Sequence, residues 1–335
     1  METPGRHIQK KIKSGKNQFI SDLKLSSDVN DVFAVKFKGA MREYVKGWSF
    51  DFTVADKTGD MKIKYWGGKD RDSVIGVYQC FDVDDLVFVA GRVSSFRDQL
   101  EIHMNEELQH TITKCDRMEY DLGDFLPKTE KDVEGLLDYL RRVVDSINNP
   151  HLNRLLHSFL DDPEFVKAFK ESPAAITLHH NFLGGLLEHT VGVVKLCESL
   201  CGFYTELDRD ILLTAAILHD IGKIHEYKYT VSINMGDEGQ FIGHIVLGDR
   251  IIREKIEKLP DFPDDYKMKL SHMILSHHGE YEWGSPKIPA TAEACALHYA
   301  DNCDAKVKGF LQVIKDQGGV DATWIYYKGK NIYLK

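Results

Sequence analysis

Histidines and aspartates in the second half of the chain have the types and order expected of a divalent metal site. Twelve of the 15 histidines follow Asp132, and several lie beside acidic residues. Imidazole and carboxylate groups bind Mn²⁺, Fe and similar ions at neutral pH because neither needs a strongly basic environment to lose its proton. Seven candidate ligands occur in order: His189, His219, Asp220, His244, His277, His278 and Asp301. Such a set is large enough for two ions, with Mn²⁺ favoured and Fe, Co, Mg or Ni as alternatives.

The adjacent pair His219-Asp220 is the strongest indication of a metal within this set. It ends the apolar stretch LLTAAILHD, residues 212–220. Burying a carboxylate beside such a stretch without a counter-charge would cost several kcal/mol, so a cation or a charged partner is required. A single histidine at a helix end is more often a cap or a satisfied core residue, and this alternative applies to each histidine taken alone.

One chemistry that two such ions could support is hydrolysis of a phosphodiester. Two ions about 3.5–4 Å apart lower the pKa of a bridging water and stabilise the charge that grows on a phosphoryl oxygen. Asp220 and Lys223 are the predicted catalytic residues, since the ammonium group of Lys223 could reach the non-bridging oxygens. The alternative for Lys223 is a solvated lysine after a helix end.

Three further polar residues near the predicted ligands have two interpretations each. His179 and His180 precede a Gly184-Gly185 turn. We predict that they contact the terminal nucleotide, with capping or support of the ligands as the alternative. Glu226 is interpreted as a surface carboxylate, with orientation of a water at the metals as the alternative.

The elements that must position these residues fall into two predicted domains, residues 1–120 and 121–335. Five runs with strand-like alternation and turn signals lie between Asp31 and Thr113, which predicts a small closed barrel of the OB-fold type. The alternative is an unrelated five-stranded sandwich. After a Pro-containing junction near 121–131, helical periodicity continues to about residue 314. An extended excursion interrupts it at 227–241, and a β-hairpin is predicted at 324–335.

The predicted barrel interleaves aromatic and basic side chains, as a surface for single-stranded nucleic acid would. Bases stack on exposed aromatic rings while cations follow the phosphates. Residues 1–70 carry 14 basic and 9 acidic residues, although the whole chain has a net charge of −9. The preferred strand-binding residues are Trp48, Trp66, Phe96 and Arg97, and about half of the barrel aromatics must fill its interior.

Composition excludes several classes of protein. No run of about 18 apolar residues is present, so no membrane partner is predicted and the chain is expected to be cytoplasmic. The six cysteines lack C-x-x-C spacing, which favours reduced core thiols over a zinc ribbon. No P-loop, G-x-G-x-x-G or nucleophile elbow occurs, which disfavours NTP-driven, nicotinamide and serine-hydrolase chemistry.

The ordered set of ligands resembles that of the HD-domain metal-dependent phosphohydrolases. The strings HHNFLGGLLEHT (179–190), LLTAAILHDIGKIHEY (212–227), GHIVLG (243–248) and the segment 274–306, with the preceding barrel, are similar to the YhaM-like 3′-to-5′ exoribonuclease family. This resemblance implies an OB-fold fused to an HD domain. It also implies a core site of His189, His219, Asp220 and Asp301, with Asp220 bridging two ions. His244, His277 and His278 would complete the second position.

The leading functional hypothesis is therefore a 3′-to-5′ exonuclease on single-stranded RNA, with DNA as a further substrate, that releases nucleoside 5′-monophosphates. One alternative is a phosphodiesterase of a small nucleotide or cyclic dinucleotide, which would not need a strand-binding barrel. A di-iron oxygenase is more distant. A non-catalytic nucleic-acid-binding scaffold would be expected to lack at least one metal-ligating residue, yet all seven are present in the sequence. The sequence is also compatible with a homo-oligomer.

Overall fold

The computed structural model describes residues 15–96, 99–105, 108, 110–175, 182–229, 233–316, 323–327 and 329–334. The chain forms two compact units. The barrel unit contains the described residues up to Pro127 together with Tyr229, and the helical unit contains the remainder from Lys128. Among the described residues, no helix combines the length and the apolarity needed to cross a bilayer. All six cysteines are free thiols.

The barrel unit is built from alternating strands whose inward side chains form its core. Its elements are β1 (Asp28–Lys38), β2 (Arg42–Tyr44), β3 (Gly47–Asp56), β4 (Gly59–Trp66), α1 (Arg71–Gln79), β5 (Leu86–Phe96), β6 (Gln99–Asn105) and β7 (Thr111–Cys115). Burial alternates along β3 and β4, as expected of strands with one face in a core. Phe50 and Phe52 lie side by side in this core, packed against Phe81.

Strand order identifies the barrel as an OB-fold. The long strands pair in the order β1-β3-β4-β6-β5, and β5 pairs back onto β1 to close the barrel. β4 and β6 are parallel, whereas the other neighbours are antiparallel. α1 connects β4 to β5, as the helix of a five-stranded Greek-key barrel does. The predicted five strands are confirmed; α1 and β7 are additions that the alternation did not indicate.

The helical unit contains the predicted helices and two short ones that periodicity did not separate. Its helices are α2 (Val133–Asp145), α3 (Pro150–Leu160), α4 (Pro163–Glu171), α5 (Gly185–Phe203), α6 (Arg209–Leu218), α7 (Lys223–Glu226), α8 (Asp237–Phe241), α9 (His244–Ile256), α10 (Asp264–Ser276) and α11 (Ala292–Asp316). The predicted excursion is a small hairpin of β8 (Tyr227–Tyr229) and β9 (Ile233–Met235), followed by α8. The predicted terminal hairpin is present as β10 (Trp324–Tyr327) and β11 (Lys330–Tyr333).

α5 and α6 form the centre of the helical unit. Every residue of α6 from Ile211 to Leu218 is buried, and this helix packs against α5, which also contacts α2 and α11. The side chain of Asp208 caps α6 by accepting a hydrogen bond from the Ile211 amide. Because α6 is buried on all sides from Ile211 to Leu218, its end delivers His219 and Asp220 into the interior.

Candidate metal centre

The seven predicted ligands come together from five helices of the helical unit. His189 lies in α5, His219 and Asp220 follow α6, and His244 is the first residue of α9. His277 and His278 follow α10, and Asp301 lies within α11. Two groups of these residues have closely spaced ligand atoms. Within each group, the ligand atoms all lie within 4.8 Å of one another. The first group is His189, His219 and Asp301, and the second group is His244, His277 and His278.

Asp220 lies between the two groups and offers one carboxylate oxygen to each. Its Oδ2 atom lies 3.4 Å from Nε2 of His189 and 3.3 Å from Nε2 of His219. Its Oδ1 atom lies 3.5 Å from Nε2 of His244 and 3.6 Å from Nε2 of His277. A carboxylate in this position can bridge two cations, one on each side.

Helix ends orient the imidazoles of His219 and His277. Nδ1 of His219 lies 2.9 Å from the carbonyl oxygen of Ala216, and Nδ1 of His277 lies 2.7 Å from that of Ile274. Because a carbonyl oxygen only accepts, Nδ1 donates a proton in both rings, and in the neutral form of this tautomer Nε2 carries the lone pair. These Nε2 atoms therefore face Asp220 as metal ligands would.

Unsatisfied polar atoms test whether these residues fit a metal. Oδ1 of Asp220, Nε2 of His244 and Nε2 of His277 are buried and have no hydrogen-bond partner among the described residues. A buried polar atom without a partner costs about 1–3 kcal/mol. Three acceptor atoms that face one another cannot satisfy each other, whereas a divalent cation between them satisfies all three. The donor set of imidazole nitrogens and carboxylate oxygens suits such an ion.

The ionisation of the centre reflects burial and close opposite charges. Burial alone would raise the pKa of Asp220, but Lys223 and the imidazoles hold it well below its usual value. Burial alone would lower the pKa of His189, but hydrogen bonds to Asp220 and Asp301 raise it well above the usual value. Burial, aided by His277 and His244, lowers the pKa of His278 to about 3. His278 is therefore a neutral imidazole, as metal binding requires.

Lys223 and Gly222 define the turn that follows the His-Asp pair. Nζ of Lys223 lies 2.6 Å from Oδ2 of Asp220, and its side chain is 12% exposed. A Cβ atom at position 222 would stand 2.0 Å from the carbonyl oxygen of His244 and 2.6 Å from the Gly248 amide nitrogen. Only glycine therefore lets the start of α9 lie against this turn, which brings His244 to Asp220.

Two acidic residues that sequence reasoning did not assign to the centre are buried beside it. Asp304 accepts a hydrogen bond from Nδ1 of His189 at 2.8 Å. Glu226, interpreted from the sequence as a surface carboxylate, is only 5% exposed and lies 2.9 Å from Nδ1 of His244. Asp301 and Asp304 are three residues apart in one helix, so both lie on the same face. This spacing could have indicated that Asp304 lies beside the centre.

The predicted substrate-binding residues are distributed differently. His179, His180 and Arg97 lie outside the described residues. In the barrel unit, Phe96 is 48% exposed, and Nζ of Lys64 lies 4.0 Å from its ring centroid. Trp66 is half-buried against the edge of Tyr44, with ring centroids 5.0 Å apart. Trp48 is also half-buried and packs against the barrel core.

Several basic side chains of the barrel unit are paired with acids. Lys64 lies 2.8 Å from Glu101, and both Lys62 and Arg42 contact Asp51, at 2.7 and 3.2 Å. The pairs of Arg42 and Lys62 with Asp51 are partly exposed, and such pairs contribute little stability. Lys64 and Glu101 are more enclosed, with side chains 15% and 8% exposed. A phosphate backbone on this surface would therefore compete with Glu101 and Asp51 for the same cations.

Comparison with known proteins agrees with this arrangement. The HD domain family model matches residues 186–306, which contain all seven candidate ligands, so the helical unit carries an HD domain. The chain is 33% identical to the 3′-5′ exoribonuclease YhaM of Shouchella clausii over 255 residues, which covers 76% of each chain. It is 32% identical to YhaM of Bacillus subtilis over 252 residues, which covers 75% of this chain and 76% of that protein. The chain belongs to the YhaM family of 3′-5′ exoribonucleases.

Solved structures are similar to part of the chain. The OB domain of Ta0387 from Thermoplasma acidophilum is 17% identical and covers 31% of this chain and 89% of that chain, with a TM-score of 0.24. The assignment of the OB-fold rests on the strand order and barrel closure described above.

Proposed function

We propose that this protein is a metal-dependent 3′-to-5′ exonuclease that acts on single-stranded RNA in the cytoplasm. DNA is a second substrate class, and nucleoside 5′-monophosphates are the products. The names of the relatives support the activity and its direction. The observation that carries the proposal is the position of Asp220, whose two carboxylate oxygens face two separate groups of ligands.

Two divalent ions, with Mn²⁺ favoured, are proposed to bind on either side of Asp220. His189, His219 and Asp301 would hold one, and His244, His277 and His278 would hold the other. When bound, such ions supply Lewis-acid activation of water and positive charge beside the scissile phosphate.

The protein's own residues supply binding and charge around the reacting phosphate. The ammonium group of Lys223 is fixed at the edge of the centre by Asp220 and remains partly accessible. From this position it can pair with a non-bridging phosphate oxygen, whose charge is stabilised by preorganised positive groups. In the barrel unit, Nζ of Lys64 lies over the exposed ring of Phe96, so an aromatic ring and a cation are adjacent, which suits a base and its phosphate.

The test is cleavage of end-labelled RNA and DNA oligomers by metal-stripped protein, with and without added Mn²⁺. We expect a ladder of products shortened from the 3′ end that requires Mn²⁺ and releases 5′-mononucleotides. The Asp249→Asn variant is a matched control, because this partly buried aspartate pairs with Ser271 and Arg253, neither of which is a candidate ligand. Cleavage of cyclic dinucleotides alone, or binding without cleavage, would refute the exonuclease proposal.

A further inference from the structure

Each of the five candidate histidine ligands has its Nδ1 atom held by a defined acceptor. His219, His277 and His278 use backbone carbonyl oxygens, those of Ala216, Ile274 and Trp283, at 2.9, 2.7 and 3.0 Å. His189 and His244 instead use the buried carboxylates of Asp304 and Glu226, at 2.8 and 2.9 Å. Each of the two ligand groups therefore contains one imidazole that is held by a carboxylate.

We propose that Asp304 and Glu226 are positioning residues that hold His189 and His244 with Nε2 directed at the metals. This inference rests on the proposed function, because it concerns the same centre. A carboxylate that accepts from Nδ1 fixes the tautomer and the ring orientation, and it makes Nε2 a stronger donor to a metal. Neither residue touches the reacting phosphate in this proposal.

Asp304 reaches His189 through a space that only glycine leaves open. It lies on α11, one turn after Asp301, so the same helix supplies a ligand and the support of another ligand. A Cβ atom at Gly192 of α5 would stand 2.3 Å from Oδ1 of Asp304. An added methyl group at position 192 would therefore displace the carboxylate of Asp304 without removing any charge.

Glu226 fixes both the ring and the backbone of His244. Its Oε1 atom lies 2.9 Å from Nδ1 of His244 and 3.0 Å from the backbone nitrogen of the same residue. The latter contact satisfies the first amide of α9, which has no partner within its own helix. One buried oxygen thus ties the beginning of α9 to the end of α7.

The experiment measures Mn²⁺ affinity by calorimetry on the metal-stripped, full-length protein. Asp304→Ala and Glu226→Ala should each weaken binding about 10- to 100-fold, the usual effect of losing such a support. Gly192→Ala should weaken binding by about tenfold or more for the same reason. The control Asp249→Ala also removes a partly buried, hydrogen-bonded carboxylate, yet it should bind Mn²⁺ like the wild type.

Circular dichroism and melting of the metal-free variants separate this role from a purely structural one, which would lower the melting temperature and leave Mn²⁺ affinity unchanged. If an alanine variant does not fold, Asp304→Asn and Glu226→Gln carry the test, with an expected loss of about tenfold. Wild-type affinity in the folded Asp304 and Gly192 variants would overturn the positioning role of Asp304, and wild-type affinity in the folded Glu226 variant would overturn that of Glu226. Either result would leave the exonuclease proposal standing. Absence of Mn²⁺ binding by the wild type would overturn both.

Discussion

Nζ of Lys223 lies 2.6 Å from Oδ2 of Asp220, the oxygen that also faces His189 and His219. The other oxygen of Asp220 faces His244 and His277 and has no partner among the described residues. The carboxylate therefore has one side that is neutralised by an ammonium group and one side that is not. Because Lys223 contacts only one side of this carboxylate, substitutions at Lys223 and at Asp220 should have different effects.

Replacing Lys223 with methionine should slow cleavage without removing the metals. The variant keeps the length of the side chain but lacks the charge that would stabilise the phosphoryl oxygens. We expect kcat to fall about 10²- to 10³-fold, as when one stabilising donor is removed. Elemental analysis should find the wild-type metal content, and loss of metal would show that Lys223 supports the ligands instead.

Replacing Asp220 with asparagine should abolish turnover and reduce the metal content. Asparagine has nearly the same shape, but its amide nitrogen cannot bind a cation, and the residue loses its charge. One ligand group loses its oxygen donor and the other keeps only a neutral amide oxygen in place of a carboxylate oxygen, so both metal positions should be weakened. Single-turnover assays with labelled RNA and elemental analysis measure the two effects, and retention of both properties would refute the bridging role.

Replacing Phe96 with alanine should weaken the binding of long single strands. One base stacked on an aromatic ring contributes about 1–3 kcal/mol, so affinity should fall on the order of 10- to 100-fold. Phe37→Ala is the matched control, because Phe37 is also an exposed barrel phenylalanine, at 57%. Filter binding with a long oligomer is compared with hydrolysis of a short model diester, which should not change. An equal loss for Phe37→Ala would argue against a specific role for Phe96.

Removing the metals should lower the stability of the protein. In the absence of a cation, buried atoms of Asp220, His244 and His277 lack partners. Free Mn²⁺ at 100 times its dissociation constant should add about 2.7 kcal/mol to the free energy of unfolding. Thermal unfolding in EDTA, with Mn²⁺ and with Ca²⁺, measures this effect. Ca²⁺ is the control because it prefers oxygen ligands, and equal stabilisation by both ions would contradict an imidazole-rich site.

Much of the arrangement of the helical unit was predictable from sequence. An acid-bearing pair at the end of a fully apolar helix had to be buried, and burial required a counter-charge. The remaining ligands were recognised from their order along the chain. The grouping of His277 with His244 followed from the family resemblance and not from the spacing of the residues, because it depends on how α9 and α10 pack.

The residues that hold the ligands were harder to predict. Asp304 and Glu226 are acids in helices with charged neighbours in sequence, and this pattern is also that of an exposed surface. Their roles follow from contacts with His189 and His244, which lie 115 and 18 residues away. Only the tertiary fold shows these contacts.

The alternation of side chains along a strand explains which face of the barrel Trp48 and Trp66 occupy. Trp48 lies two residues before Phe50 on β3, so it shares the inward face and packs on the core. Trp66 lies two residues after Lys64 on β4, so it shares the outward face with that cation. The alternation predicted the five strands but not α1, whose glycine at position 76 and short length weaken any helical pattern.

The start of α9 can lie close to the turn at Gly222 only because this residue has no side chain. Any larger side chain at 222 would clash with the backbone of His244. This clash would increase the distance between His244 and Asp220 while leaving every ligand side chain unchanged. The chelating ability of the centre thus depends on a residue that contributes no donor atom at all.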